Sequence, residues 1–272
     1  MSELLSVVRS RAAAPADVRV AFLDHCAPSL PQVLGSLTPG PAARGRCVVV
    51  PLLLTAAYHS KTDIPAQLAS SGAAAGLEIS VSRTLGPHAL LLAALERRLA
   101  GAGVRLSPAD RAGTAVVLAA AGSSDPAANA TIADLAAAWR RDRGWRDVVP
   151  AYASAAAPTP AEAVRSLHGA GAARVVVATY LLAPGYFAGK IRASALSAGA
   201  WAVSETLGAA PEVADVVLAR YAAASRLDRL WSETNYAERT VATRQLVNCS
   251  IRGDQGGTDV RRVRRAAHTL TR

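Results

Sequence analysis

The hydrophobic positions of the chain form short continuous runs, separated by longer stretches in which apolar residues recur every three or four positions. The runs predict strands near residues 18–23, 47–54, 77–81, 115–120, 148–152, 175–182 and 201–203. Several runs are continuous rather than alternating, which is typical of strands buried on both faces of a sheet. Alanine-rich stretches predict helices over residues 90–100, 131–141 and 160–168. This alternation predicts a doubly wound α/β fold.

Three pairs of similar segments occur in the same order along the chain. AFLDHCAPSLPQVLGSL (21–37) resembles AYASAAAPTPAEAVRSL (151–167), and VVPLLLTAAYHSKTDI (49–64) resembles VATYLLAPGYFAGKIR (177–192). VSRTLG (81–86) resembles VSETLG (203–208). The repeat predicts an internal duplication into two flavodoxin-like halves, residues 1–110 and 113–224, followed by a tail, residues 225–272, that matches neither half.

The two halves differ at their starts. The second half opens with a strand, a Gly-Ser turn and a helix cap at Asp125, with Pro126 at the first helical position. The first half opens inside the equivalent helix, so its first strand and turn would lie before Met1. Either the true start lies upstream or this copy has lost the piece. Because ligands of open α/β sheets bind at the carboxyl ends of the strands, this edge matters for function.

Composition narrows the class of protein. At 272 residues and 51% hydrophobic, the chain can bury one or two cores, and no apolar run reaches a membrane-spanning length. No signal peptide is visible, and the three cysteines form neither a disulfide framework nor a metal motif, so we expect a cytoplasmic protein. The sequence does not fix its oligomeric state.

The net charge of +10 does not by itself indicate nucleic-acid binding. Only two of the thirty basic residues are lysines, and aromatic residues are 4% of the chain. From Arg226 onward there are ten arginines against five acidic residues, so about half of the excess lies in the tail. The remainder favours an acidic small molecule as partner. We expect the tail to be a disordered extension with a short helix around residues 231–245, and to be dispensable for folding and metallation; the alternative is that RRVRR (261–265) contacts an anionic partner.

Three residues stand out as candidates for chemistry. His59 follows the buried run at 47–54, and Asp24 follows the run at 18–23. Neutral imidazole and carboxylate are ligands for Co²⁺, Fe²⁺ and Ni²⁺, and both groups can move protons. Each residue also has an interpretation without a chemical role: His59 as a hydrogen-bonded loop residue, and Asp24 as a turn residue. His88 could cap the helix that follows it or contact a substrate.

The motifs resemble a known family. FLDHCAPSLPQVL, VVPLLLTAAYHSKTDIPAQL, TLGPHALLLAALERRL and VLAAAGSSDP are similar to sirohydrochlorin chelatases of the CbiX/SirB type, the class II chelatases. The resemblance covers about residues 3–222 and is most specific at His-x-x-x-Asp-Ile-Pro (59–65). It implies insertion of cobalt or ferrous iron into sirohydrochlorin or a related tetrapyrrole, for cobalamin or siroheme synthesis.

The resemblance also implies site residues. His59 falls at the family's second histidine and would be metal ligand and base, and Asp24 falls at its acidic position and would assist. By their position alone, Tyr58, Lys61 and His88 are candidates to contact the tetrapyrrole, and Lys61, Arg83 and Arg192 are candidates for a basic rim that docks its carboxylates. The metal, Co²⁺ or Fe²⁺ with Ni²⁺ as an alternative, is a substrate, and no organic cofactor, nucleic acid or membrane is expected.

The chain departs from the family pattern in two places. The family's first histidine, in a His-Gly turn after the first strand, has no counterpart because that segment is absent. The equivalent positions of the second half hold Ala121, Ser154 and Phe187, so any activity belongs to the first half. Two alternatives stay open: a decayed pseudoenzyme that still binds tetrapyrrole or metal, and a generic α/β small-molecule binding module.

Overall fold

The computed structural model describes residues 1–12, 17–24, 26–37, 45–56, 62–70, 77–235 and 244–250. Their helices are α1 (Ser2–Arg11), α2 (Leu30–Gly35), α3 (Ile64–Ser70), α4 (Ala89–Gly101), α5 (Pro108–Ala112), α6 (Pro126–Arg143), α7 (Pro160–Gly169), α8 (Tyr186–Ser197) and α9 (Pro211–Asn235). Their strands are β1 (Asp17–Phe22), β2 (Gly45–Pro51), β3 (Leu77–Val81), β4 (Thr114–Ala120), β5 (Asp147–Tyr152), β6 (Arg174–Thr179), β7 (Ala202–Val203) and β8 (Arg244–Ser250). Within these ranges, no helix combines the length and the apolar character that crossing a bilayer requires.

The strands form two four-stranded parallel sheets. The first has the order β1-β8-β2-β3 and the second the order β5-β4-β6-β7. All seven strands expected from the apolar runs are present, and the doubly wound α/β class is confirmed. The runs at 47–54 and 175–182 overestimate their strands, because the chain leaves the sheet after Pro51 and Thr179.

Equivalent turns confirm the internal duplication. Ser29 and Gln32 form a capping box at the start of α2, and Thr159 and Glu162 form the same box at the start of α7. The backbone N–H of Phe22 donates to the Pro28 carbonyl at 2.9 Å, and that of Tyr152 donates to the Pro158 carbonyl at the same distance. The two halves therefore share local geometry as well as sequence pattern.

The helices divide into three layers around the two sheets. One core joins α1, α4, α6 and α9 to the facing sides of both sheets, so these four helices lie between the sheets. Separate cores join α2 and α3 to the outer face of the first sheet, and α7 and α8 to the outer face of the second. The halves also exchange helices, since α4 packs against β6 and α9 packs against β2 and β3.

The tail departs from the sequence expectation. Residues 244–250 form a strand inside the first sheet, so this part of the tail is not a disordered extension. The short helix expected around residues 231–245 is confirmed over 231–235, where α9 ends, and is wrong at its end, where β8 begins at Arg244. The remaining residues of the tail lie outside the described ranges.

Candidate active site

The carboxyl ends of the two sheets meet at one contact between the halves. Tyr180 follows β6, Leu54 follows β2, and the Tyr180 hydroxyl donates to the Leu54 carbonyl at 3.3 Å. Tyr180 is 1% exposed, and burial raises the pKa of its phenol. Gly86 packs into the same contact, where an added Cβ would overlap both the Leu54 carbonyl and the Tyr180 hydroxyl. These contacts bring together the edges at which α/β folds bind ligands.

Asp24 lies at this edge of the first sheet, two residues after β1 ends. Its side chain is exposed, while the preceding Leu23 is buried. The Gln67 side-chain amide on α3 donates to the Leu23 carbonyl at 2.8 Å and so ties α3 to the end of β1. The equivalent carbonyl in the second half, that of Ala153, accepts from the Lys190 ammonium at 2.6 Å. The turn that carries Asp24 is therefore held from the helix side.

His59, Tyr58 and Lys61 lie outside the described residues. Their flanking segments are described: β2 and its continuation to Ala56 on one side, and α3 with the fully buried Ile64 on the other. Because β1 and β2 run parallel in one sheet and α3 is tied to β1, both flanks lie at the edge that carries Asp24. The roles of all three residues stay predictions.

His88 is the N-cap of α4, one of its two readings from sequence. Its Nδ1 accepts from the Leu90 backbone N–H at 3.1 Å. Burial lowers the pKa of His88, and the positive charge of Arg220 lowers it further. The cap requires a neutral Nδ1 with a free lone pair, and the lowered pKa favours that form. A substrate contact by His88 stays a prediction.

A pair of cations borders the loop after β3. The Arg220 guanidinium donates to the Leu85 carbonyl at 2.9 Å and approaches the Pro87 carbonyl at 3.4 Å. Burial lowers the pKa of Arg220, and the charge of Arg83 lowers it further. Within the described part of the chain, the Arg220 Nε is buried without a hydrogen-bond partner. Sequence reasoning missed Arg220, because it lies on α9, 135 residues from the loop it contacts.

Basic residues elsewhere are engaged in structural contacts. Arg192, which the sequence places in the segment equivalent to the His59 region, contacts the Val203 carbonyl and the Glu205 carboxylate at 3.2 and 3.3 Å.

In the second half, the Ser154 N–H and hydroxyl both donate to the Ala121 carbonyl, at 2.9 and 3.2 Å. Backbone contacts thus occupy the positions where the first half is expected to hold ligands.

The described ranges hold no complete metal-binding cluster, because no three His, Cys, Asp or Glu side chains come together there in a group that could hold a metal ion. Asp24 is an exposed carboxylate at the carboxyl edge of the first sheet. Such a carboxylate suits weak, open coordination of a metal in transit, whereas a closed four-ligand site would retain it.

Comparisons with known proteins identify the family. The CbiX family model matches residues 1–102 and 115–224, one segment in each half. The chain therefore belongs to the CbiX family, and the resemblance seen in the sequence is confirmed.

A curated relative has a stated activity. The chain is 29% identical over 172 residues to the sirohydrochlorin cobaltochelatase of Priestia megaterium. The match covers 62% of this chain and 54% of that protein, so the chain spans about half the length of the curated relative it matches.

Two solved structures share the fold. The first is SirB from Bacillus subtilis with Fe³⁺, with a TM-score of 0.68, 23% identity, and coverage of 86% of this chain and 90% of that chain. The second is the sirohydrochlorin chelatase SirB from Bacillus subtilis subspecies spizizenii in complex with cobalt. Its TM-score is 0.66, its identity is 20%, and the match covers 84% of this chain and 89% of that chain.

Proposed function

We propose that this chain inserts a divalent metal, Co²⁺ or Fe²⁺, into sirohydrochlorin or a related tetrapyrrole. The observation that carries the proposal is membership of the CbiX family across both halves of the chain. The curated relative is a sirohydrochlorin cobaltochelatase, which supports this reaction for the chain.

The chemistry assigns distinct tasks to the residues at the carboxyl edge. Metallation requires a metal held with open coordination positions, removal of two pyrrole N–H protons, and orientation of the flat macrocycle. Asp24 is exposed and can share the metal or accept a proton. His59, which the sequence places at the same edge, would bind the metal through neutral imidazole and take up the second proton.

Substrate orientation falls to the cations beside the loop after β3. Sirohydrochlorin carries carboxylate side chains, and a guanidinium binds a carboxylate through two parallel hydrogen bonds. Arg83 is exposed next to this loop and Arg220 contacts it from α9. Their mutual repulsion would be relieved by an anion, which supports this side of the site as the one that receives a substrate carboxylate.

A matched pair of variants tests the proposal. Asp24→Asn keeps the size of the side chain and removes the charge, and Asp134→Asn does the same at an exposed position on α6. We expect Asp24→Asn to lower the rate of Co²⁺ insertion, measured anaerobically by absorbance, roughly 10²-fold or more as for loss of a general base. Asp134→Asn should match the wild type. Equal rates for all three proteins would contradict the role of Asp24.

A binding protein without turnover is the second candidate. It is favoured by the chain's departure from the family pattern, since Ala121, Ser154 and Phe187 stand at the ligand positions of the second half. Titration of sirohydrochlorin without metal separates the two candidates. Binding with no insertion above the uncatalysed rate would mark a pseudoenzyme, and absence of both would favour a generic small-molecule binding module.

A further inference from the structure

A segment from the far end of the chain occupies the central position of the first sheet. β8 lies between β1 and β2 and pairs in parallel with both. In the second sheet the same central position, between β5 and β6, belongs to β4, the strand that opens that half. The central strand of the first sheet therefore follows the rest of its half in sequence by more than 130 residues, whereas that of the second sheet opens its half.

The two ladders of β8 independently give the same correspondence with β4. Phe22 pairs with Ser250, and its equivalent Tyr152 pairs with Ala120. On the β1 side, the residue of β8 therefore lies 130 positions after the equivalent residue of β4, since 250 − 120 = 130.

The second ladder gives the same number. Pro51 pairs with Cys249, and its equivalent Thr179 pairs with Ala119, so that 249 − 119 is again 130. A segment that merely covered an open edge would have no reason to adopt the register of β4 on both sides at once.

Removal of β8 would leave the first sheet largely unpaired. The only ladder of β1 within the described residues is the one to β8, while β2 would keep β3 on one side alone. Val18 and Ala21 of β1 are buried, as are five consecutive residues of β2. Backbone N–H and C=O groups buried without partners destabilise a fold, so an empty slot between these strands is strongly disfavoured.

We infer that the slot between β1 and β2 is the docking site of this chain's own residues 244–250, which take in the first sheet the place that β4 holds in the second. The first half is therefore discontinuous in sequence and is completed only when the C-terminal segment is in place. Asp24 follows β1, so the candidate site depends on this docking. The residue that follows β8 is Ile251, so the replacement supplies no histidine at the first position after the strand.

Engineered disulfides test the pairing without reference to activity. Adjacent strands lie about 4.8 Å apart, within the Cα separation of about 4.4–6.8 Å that a disulfide requires. In a full-length background with Cys26→Ser and Cys47→Ala, Cys249 is the only remaining cysteine. Ala21→Cys and Pro51→Cys each place a partner in register with it, one on each side of β8.

The control places a cysteine on the same strand out of register. Arg19 pairs with Val247, two residues from Cys249, so Arg19→Cys lies about 8 Å from it between Cα atoms, beyond disulfide range. We expect both in-register variants, and not Arg19→Cys, to form an intrachain crosslink under mild oxidation. Non-reducing gels and peptide mapping would detect it, and two variants guard against misfolding of one.

Three results would overturn the inference. Absence of a crosslink in both in-register variants, with native circular dichroism, would show that residues 244–250 do not lie in the slot. An equal yield from Arg19→Cys would show chance collisions. Crosslinked dimers instead of crosslinked monomers would show that the strand comes from a second copy.

Discussion

The buried carboxylate of Glu96 is expected to stabilise the junction between the two halves. Glu96 lies on α4 and is 8% exposed. One of its oxygens accepts from the Trp139 indole N–H on α6 at 3.1 Å, and the other accepts from the Arg111 guanidinium at 3.1 Å. Arg143 approaches it at 3.7 Å. Glu96 therefore joins a helix of the first half to the start of the second.

Glu96→Gln removes the charge and keeps the shape. The Arg111 side chain is 19% exposed, and its Nε is buried without a hydrogen-bond partner in the described part of the chain. Breaking a buried ion pair costs about 3–5 kcal/mol, and the partial exposure of Arg111 reduces this to about 2–4 kcal/mol. For a chain of this size each kcal/mol shifts Tm by about 2–4 °C, so we expect a fall of about 4–16 °C.

The chain offers a matched control on the same helix. Arg97 of α4 pairs with Glu212 of α9 at 2.6 Å, with side chains 57% and 15% exposed, whereas the Arg111 and Glu96 side chains are 19% and 10% exposed. A pair that is open to solvent on one side is screened more by salt than a pair buried on both sides, so Glu212→Gln should shift Tm less than Glu96→Gln does. Calorimetry of both variants at two salt concentrations measures the difference. A fall in Tm for Glu96→Gln no larger than for Glu212→Gln would refute the reasoning.

Three further predictions concern packing and protonation. Gly86→Ala should lower the free energy of unfolding by about 1–3 kcal/mol, because the added methyl group overlaps atoms at the contact between the sheets. Gly35→Ala, which has open space around it, should leave the free energy of unfolding unchanged. Denaturant titrations that give Gly86→Ala the same free energy of unfolding as the wild type would contradict this. Burial raises the pKa of Cys47 to about 12, so a thiol reagent at pH 8 should modify Cys26 and leave Cys47 unmodified by peptide mapping. The pKa of His88 is lowered from 6.5, so the contribution of this residue to stability is complete above pH 6.5 and is lost as the pH falls below that value. The variant His88→Asn preserves the helix cap, and in melting experiments across this pH range it should weaken the pH dependence.

Much of the fold could be predicted because most of its strands can be recognised from their own stretch of sequence. β4 is buried at all seven positions and appears in the sequence as a continuous apolar run. Offsets near 130 between similar segments predicted the duplication, which the paired capping boxes confirm. Both the apolar runs and the repeated segments can be recognised in the sequence without any knowledge of tertiary contacts.

β8 could not be predicted in this way. Its sequence, RQLVNCS, contains only the apolar pair Leu246-Val247 between Gln245 and Asn248, which is too short to predict a strand. The strands that it pairs with lie about two hundred positions away in the sequence. The exchange of α4 and α9 between halves was hidden for a related reason. A 3.6-residue period shows that a helix has an apolar face, but not which sheet that face covers.

The site was predicted only in part. Asp24 lies at the carboxyl edge as expected, and His88 caps α4 as one of its readings proposed. Arg220 and Tyr180 gave no local signal, because their importance comes from contacts with carbonyls of the other half.

The most direct test of the central claim is the rate of metal insertion by the full-length chain. Purified protein would be mixed anaerobically with sirohydrochlorin and Co²⁺, with His59→Ala in parallel, and the absorbance change on metallation followed. The proposed function predicts a rate above the uncatalysed one that His59→Ala abolishes. A wild-type rate equal to the uncatalysed rate, in protein that is folded and binds sirohydrochlorin, would contradict it.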